Sequence, residues 1–296
     1  MHFCVLLWGF TAILGKLITL GALPLVWWRM MMVALALLLF PKFWSGVAKL
    51  PGRMIAIYAG IGVLVAMHWF AFYGAINLSN ASVAVACMAL APVFVSLVEP
   101  LITGSRFHVR DVVLGLAVIP GVLLIVGGTP AGMRAGIAMG VLAALLVSLF
   151  SSLNKRFIEQ GEPLAVTGIE MGAGSAALMM ISPVWMSESL FQVPARNDMV
   201  FLLILALVCT LLPFALALVV MRHLSAFAAT LAVNMEPVYA VLLAILILGE
   251  QRELTPMFYA GVAIIFVVVF GHPILIMRLR NKPYTVRSCP LNPGSE

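Results

Sequence analysis

The sequence predicts an all-α membrane protein with ten transmembrane helices, arranged as two inverted repeats of five. Of the 296 residues, 64% are apolar and only 9% are charged, and the mean hydropathy is +1.15. An average soluble domain carries about 25% charged residues. The composition therefore excludes an ordinary soluble enzyme. It also excludes a nucleic-acid-binding chain, although the net charge is +6.

Ten apolar runs, each near the length of about 20 residues that crosses a bilayer, are separated by breaks rich in glycine, proline, asparagine or charged residues. The predicted spans are 3–20, 22–40, 54–76, 81–102, 111–128, 134–154, 163–183, 199–221, 225–248 and 255–277. A cleaved signal peptide is the alternative for the first run. No basic segment precedes this run and no small-residue cleavage site follows it, so we expect a helix.

The basic residues predict the orientation of the chain. With a cytoplasmic N-terminus, three basic residues lie outside, namely Arg134, Arg196 and Arg252. The cytoplasmic set is Lys42, Lys49, Arg53, Arg106, Arg110, Lys155, Arg156, Arg222, Arg278, Arg280, Lys282 and Arg287. Because Lys and Arg collect in cytoplasmic loops, both termini are expected to be cytoplasmic. The basic tail 278–296 is expected to lie at the anionic membrane surface.

Two blocks of sequence recur in the second half. The segment LGK at 14–16, with Pro24 eight residues after Lys16, is echoed by LNK at 153–155 with Pro163. The segment APVF at 91–94, followed by Gly104, is echoed by EPVY at 236–239, followed by Gly249, at an offset of 145 residues. We therefore divide the chain into repeats at 1–130 and 131–277. Because each repeat has an odd number of spans, the second copy enters the membrane in the opposite sense. This inverted arrangement is found in secondary transporters, whose substrate site lies near the midplane.

Several segments resemble a known family. Trp8-Gly9, the stretch 78–106 and the stretch 224–251 resemble the EamA-type transporters of the drug/metabolite transporter superfamily. The signature is Pro-Val-aromatic followed by Gly-Glu, and Ser105 replaces the usual glutamate in the first half. The resemblance implies a ten-helix inverted-repeat carrier in the plasma membrane. Such carriers typically export amino acids or other small metabolites.

Charged residues inside spans are the first candidates for a substrate site. Each costs about 2.5–3.5 kcal/mol to insert, so those present usually face the bundle interior. Lys16, Arg29, Glu170 and Glu236 lie within spans, whereas Glu99 lies near a cytoplasmic end. We expect the two glutamates to face a substrate ammonium or a coupling proton. Lys16 or Arg29 would then face a carboxylate.

Glu236 is the best placed of these, midway along its span and before Pro237, which frees the carbonyl of Val233. The alternative is a carboxylate paired with Lys16 or Arg29 that only fixes packing. Glu170 lies among glycines and small residues, which either line a cavity or allow tight helix packing. Lys16 either holds a substrate carboxylate or snorkels to the outer surface.

Arg29 lies two turns inside its span and is expected to pair with Glu170 or Glu236. His68 is either a proton relay or a hydrogen-bonded core residue, and the core role is favoured. The aromatic residues expected to shape the pocket are Trp8, Trp69 and Tyr239. Asn234 and Asn154 are further polar candidates.

The predicted partners are a small-molecule substrate, the bilayer and, as a candidate coupling ion, the proton. No Walker A, HExxH or GxSxG motif occurs, and no Cys or His spacing fits a metal, so we predict neither an enzyme nor a cofactor. An exporter of drugs or organic cations is the alternative function. An intramembrane lipid-modifying enzyme and a membrane scaffold or receptor are less favoured, because neither needs an inverted repeat.

Overall fold

The computed structural model of the protein describes residues 1–104, 106, 109–185, 190–213, 216 and 235–280, and these contain helices and no strand. The α-helices of the described part are α1 His2–Leu17, α2 Ala22–Leu38, α3 Pro41–Val47, α4 Gly52–Leu78, α5 Ala81–Met88, α6 Ala91–Thr103, α7 Val109–Gly128, α8 Arg134–Phe157, α9 Pro163–Trp185, α10 Arg196–Leu203, α11 Glu236–Leu243 and α12 Pro256–Arg280. Two π-helical segments, Ile204–Leu211 and Ala244–Leu248, continue α10 and α11.

The all-α membrane class is confirmed. In the described ranges, four helical segments are long and apolar enough to cross a bilayer, and α2 with α3, bent by 92°, makes a fifth. Large apolar side chains lie on the outside of the helices, with Leu39, Leu101 and Leu246 about four-fifths exposed (82%, 80% and 79%). This surface suits lipid better than water. The finer count of ten spans stays a prediction, since parts of the predicted eighth and ninth spans and most of the tail lie outside the described residues.

Helix ends follow from local chemistry. The side chain of Asn80 accepts a hydrogen bond from the Val83 N–H (3.0 Å) and so caps α5. Pro163 and Pro256 are the first residues of α9 and α12, where a missing N–H costs nothing. Gly104 and Gly249 are the glycines with positive φ in the described chain (74° and 68°), and each ends a helical segment in the left-handed conformation.

The two segments that share the Pro-Val-aromatic block begin and end alike, although the second turns from α-helix to π-helix at Ala244. The helix α6 has 13 residues, begins one residue before Pro92 and ends at Gly104. The segment formed by α11 and its π-helical continuation, 236–248, begins one residue before Pro237 and ends at Gly249. The residues preceding them, Leu90 (φ −77°, ψ −15°) and Met235 (φ −78°, ψ −10°), have matching backbone angles. The sequence offset of 145 therefore corresponds to matching helix starts and to matching left-handed glycines at the ends.

The loops gather at two opposite ends of the bundle. At one, called the Glu250 end, Thr19 bonds Asp198, Asn80 bonds Glu253, and the Thr255 hydroxyl donates to the Gly128 carbonyl. At the other, called the Lys155 end, the Tyr58 hydroxyl donates to the Phe157 carbonyl (2.6 Å). Lys155 also forms an ion pair with Glu99 there. Loops that the predicted topology assigns to the same side of the membrane thus lie at the same end of the bundle.

Glycines permit the closest helix contacts. A Cβ on Gly62 of α4 would lie 2.2 Å from the backbone oxygen of Glu170 on α9, so these two helices touch backbone to backbone. Likewise, a Cβ on Gly121 of α7 would lie 2.9 Å from the Gly261 carbonyl oxygen of α12. Larger residues at these positions would force the helices apart.

Candidate functional site

Arg29 lies at the centre of the bundle and is only 3% exposed. Its Nε donates to the Thr210 hydroxyl (2.9 Å) and its Nη1 donates to the Tyr73 hydroxyl (2.8 Å). The guanidinium carbon lies 3.8 Å from the centroid of the Trp69 ring, a cation–π contact. We call Arg29, Trp69, Tyr73 and Thr210 the central cluster.

Two helical geometries assemble the central cluster. Trp69 and Tyr73 are four residues apart on α4, so both rings face the same side and reach Arg29 on α2. Thr210 lies in the π-helical segment, where its hydroxyl donates to the Leu205 carbonyl five residues earlier (2.7 Å). π-Helical turns occur frequently at functional sites. The cluster thereby fixes a buried guanidinium in one orientation.

The expected ion pair between Arg29 and a buried carboxylate is corrected by this geometry. Within the described part of the chain, Arg29 forms no direct ion pair, and hydroxyl groups and an aromatic ring take its contacts instead. Glu236 is half-buried at the start of α11 and lies within electrostatic range of the Arg29 guanidinium. A cation and a carboxylate therefore face one region without neutralising each other directly.

Tyr239 and Trp8 lie where α1 packs on α11. A Cβ on Gly9 would lie 3.3 Å from the Ala240 backbone nitrogen, so the two helices are close there. The Tyr239 hydroxyl lies 3.0 Å from Nδ1 of His2, near the start of α1, and not beside Arg29. Trp8 is half-buried on α1. Asn234, the remaining predicted polar residue on this side, lies outside the described residues.

Glu170 is buried (5% exposed) on α9, which packs on α4 and α2. The Asn154 side chain of α8 interacts with its carboxylate, but Glu170 Oε1 and Asn154 Oδ1 each lack a hydrogen-bond partner. Gly174 serves packing, since a Cβ there would lie 2.6 Å from the Gly62 carbonyl oxygen, whereas a Cβ on Gly172 meets nothing within 4 Å. Of the two alternatives for this face, the structure favours close helix packing.

His68 packs as a core residue. It is 6% exposed, its Nδ1 lies 2.8 Å from the Ala143 carbonyl oxygen, and its ring meets those of Phe72 and Phe150. A neutral ring with a proton on Nδ1 satisfies this bond. Trp69, the next residue, instead faces Arg29.

Lys16 is exposed on the last turn of α1, away from the central cluster. This placement fits the snorkelling alternative. Of these two cations, Arg29 is buried and Lys16 is exposed.

Sequence reasoning missed four residues with defined polar roles. Tyr73 and Thr210 hold Arg29, Asp198 accepts two hydrogen bonds from Thr19 (3.0 and 2.6 Å), and Glu250 caps α5. The spacing of four between Trp69 and Tyr73 was a usable signal for the first. Glu250 was marked only as the glutamate of the Gly-Glu signature, and nothing local marks Thr210 or Asp198, because each acts on a residue distant in sequence.

No metal centre emerges from the described residues, which contain no group of three or more His, Cys, Asp or Glu side chains placed to bind an ion. A cavity of about 200 Å³ lies at the Lys155 end, lined in part by Lys49, Glu159 and Glu162. It does not reach the central cluster, and protein surrounds Arg29 in this conformation.

Comparison with known proteins decides the family. The profile of the EamA-like transporter family matches residues 1–127 and 134–271, nearly the whole chain. The chain belongs to this family. The resemblance found in the sequence is thereby confirmed, and the protein is a multi-pass membrane transporter of the drug/metabolite superfamily.

The fold of the EamA-like chain also has a solved counterpart. A crystal structure, described only as that of a protein, has a TM-score of 0.61 and 17% sequence identity, covering 94% of this chain and 96% of its own. At this identity the likeness concerns the fold alone. Curated proteins give no match.

Proposed function

We propose that this EamA-like protein is a secondary transporter that exports amino acids or similar small metabolites across the plasma membrane by alternating access. The observation that carries the proposal is the central cluster. A guanidinium has five donors in a planar fork that matches a carboxylate. Arg29 offers such a group, with Glu236 close enough to attract an ammonium group. A zwitterionic amino acid carries both complementary charges.

An inverted repeat would supply the alternating access. The matching starts and glycine ends of the segments 91–104 and 236–249 support it, as do the two separate family matches. The helix contacts support the same relation between the halves. The helix α4 of the first half packs on α8 and α9 of the second half, and α10 with its π-helical continuation packs on α1 and α2 of the first half. These are the contacts expected if α8 and α9 correspond to α1 and α2. The inversion places the site between the halves.

We place the Lys155 end in the cytoplasm. Lys42, Lys49, Arg53, Lys155 and Arg156 lie at this end, whereas Arg134, Arg196 and Arg252 lie at the Glu250 end. The excess of basic residues supports cytoplasmic termini.

Counterflow in proteoliposomes tests the function. Vesicles preloaded with a mixed pool of unlabelled amino acids should accumulate labelled ones through the wild-type protein. Glu236→Gln should abolish the accumulation and Lys16→Met, which changes an exposed cation, should not. Absence of counterflow for every amino acid, in a preparation with a cooperative melting transition, would contradict the proposal. Sugars, nucleosides and organic cations would then be tested.

A further inference from the structure

Glu170 differs from the other buried carboxylates in how few partners it has. Asp198 is 3% exposed and accepts two hydrogen bonds from Thr19. Glu250 is 2% exposed and accepts two from backbone N–H groups. Glu170 is 5% exposed, and its Oε1 has no partner. A buried anion in this condition is costly, whereas a neutral carboxyl group is not.

A second orphan atom lies on the side chain that meets this carboxylate. Asn154 Oδ1 is also buried without a hydrogen-bond partner. Glu170 Oε1 and Asn154 Oδ1 are both acceptors, so this pair of atoms lacks a hydrogen-bond donor. A proton on Glu170 removes the buried charge and turns one acceptor of this pair into an O–H donor.

Among the described residues, Glu170 has no ion-pair partner, and the Asn154 amide is the donor that meets its carboxylate. From α4, Tyr58 is the titratable group facing this region, and its hydroxyl donates to the Phe157 carbonyl (2.6 Å). Met30 of α2 lies against Gly174 and Phe43 of α3 lies against Gly168 of α9. Arg29, next to Met30, is bound to Tyr73 and Thr210.

A proton fits this place better than a metal ion. Hard cations take about six or more oxygen ligands, whereas two unpartnered oxygens are present here. The close contact of Gly62 with the Glu170 backbone also leaves little room for an ion and its waters.

We propose that Glu170 and Asn154 form the proton site of the carrier, where the carboxylate binds one proton in one conformation and releases it in the other. Uptake converts the carboxylate to a carboxyl group, and release restores the charge, with no other bond changed. Because export is the proposed direction, the proton moves inward in exchange for substrate. This inference rests on the proposed function.

Shared helix contacts provide a route by which the two sites affect each other. The helix α4 contacts the Glu170 backbone through Gly62, and two turns later it presents Trp69 and Tyr73 to Arg29. A shift of α9 against α4 on protonation would therefore move the side chains that hold the guanidinium.

The decisive variant is Glu170→Gln, with Glu159→Gln, an exposed carboxylate at the Lys155 end, as the matched control. The amide of Glu170→Gln mimics the protonated acid and supplies an N–H for Asn154 Oδ1, so we expect it to fold. In vesicles acidic inside by about one pH unit, exchange of one proton can drive about a tenfold accumulation of substrate. Wild type and Glu159→Gln should show this accumulation. Glu170→Gln should lose it.

Infrared difference spectra of the purified proteins between neutral and alkaline pH provide a test without substrate, because ordinary carboxyl groups, with pKa values of about 4, are ionised at both pH values and cancel. A protonated-carboxyl band should appear in wild type and Glu159→Gln and be missing in Glu170→Gln. An unchanged band in Glu170→Gln overturns the proton site, as does gradient-driven accumulation equal to wild type. If the band depends on Glu170 but wild type shows no counterflow, the proposed function fails and the proton site stands.

Discussion

The Glu250 carboxylate accepts a hydrogen bond from the Ser82 N–H at 2.7 Å, across 168 residues of sequence. Its other oxygen accepts from the Ala81 N–H at 2.9 Å. These are the first two N–H groups of α5, which have no partner within their own helix. A buried carboxylate at a helix N-terminus is also favoured by the helix dipole. The glutamate of the Gly-Glu signature therefore joins the two halves at one end of the bundle.

Glu250→Ala should lower the stability of the folded protein. Each buried N–H left without a partner costs about 1–3 kcal/mol. The melting temperature of the variant in detergent should fall by several degrees, whereas Arg252→Ala, a neighbouring exposed change, should melt like wild type. Equal melting of the two variants would mean that water replaces the carboxylate at α5.

Arg29→Lys should weaken substrate binding although the charge is kept. An ammonium group cannot donate to Tyr73 and Thr210 in a planar fork while stacking on Trp69. Hydrogen bonds to charged groups contribute about 1.5–3 kcal/mol each, so apparent affinity should fall at least about tenfold. Concentration dependence of counterflow measures it, with Lys16→Met as the matched control. Wild-type affinity in Arg29→Lys would place the carboxylate site elsewhere.

Two glycines of α4 provide a matched pair for helix packing. A Cβ on Gly62 would lie 2.2 Å from a backbone atom of α9, but a Cβ on Gly60 meets nothing within 4 Å. Gly62→Ala should destabilise the protein by at least about 1–3 kcal/mol, the usual cost of overpacking. Gly60→Ala should be neutral or stabilise it by up to about 1 kcal/mol through helix propensity. Thermal melting in detergent distinguishes them, and similar values would refute the close α4–α9 contact.

His68→Phe should leave the pH dependence of transport unchanged. The His68 ring is held by the Ala143 carbonyl and packs on Phe72 and Phe150, so its role is structural. Loss of this hydrogen bond should cost about 1 kcal/mol of stability. Transport rates measured across pH, beside Glu170→Gln, decide between the two residues. A pH profile flattened in His68→Phe alone would assign the titrating group to His68.

The sequence by itself determined the membrane class, the family and much of the local structure. Apolar runs of bilayer length require helices, because an unpaired backbone group in lipid is too costly. Backbone preferences also fix helix ends: Pro163 and Pro256 begin helices, and Gly104 and Gly249 end helical segments. Periodicity could also place Trp69 and Tyr73 on one face of α4, since that relation lies within one helix.

Only the tertiary structure decided which buried groups meet. Rotation of each helix about its axis brought Arg29 to Trp69, Tyr73 and Thr210, while Glu170 met Asn154 and the Gly62 backbone. Lys16, equally charged and in the neighbouring helix, was left on the surface. Composition and spacing do not predict these rotations, because each rotation depends on the packing of all neighbouring helices at once. The same packing places a carboxylate from one half on the helix N-terminus of the other.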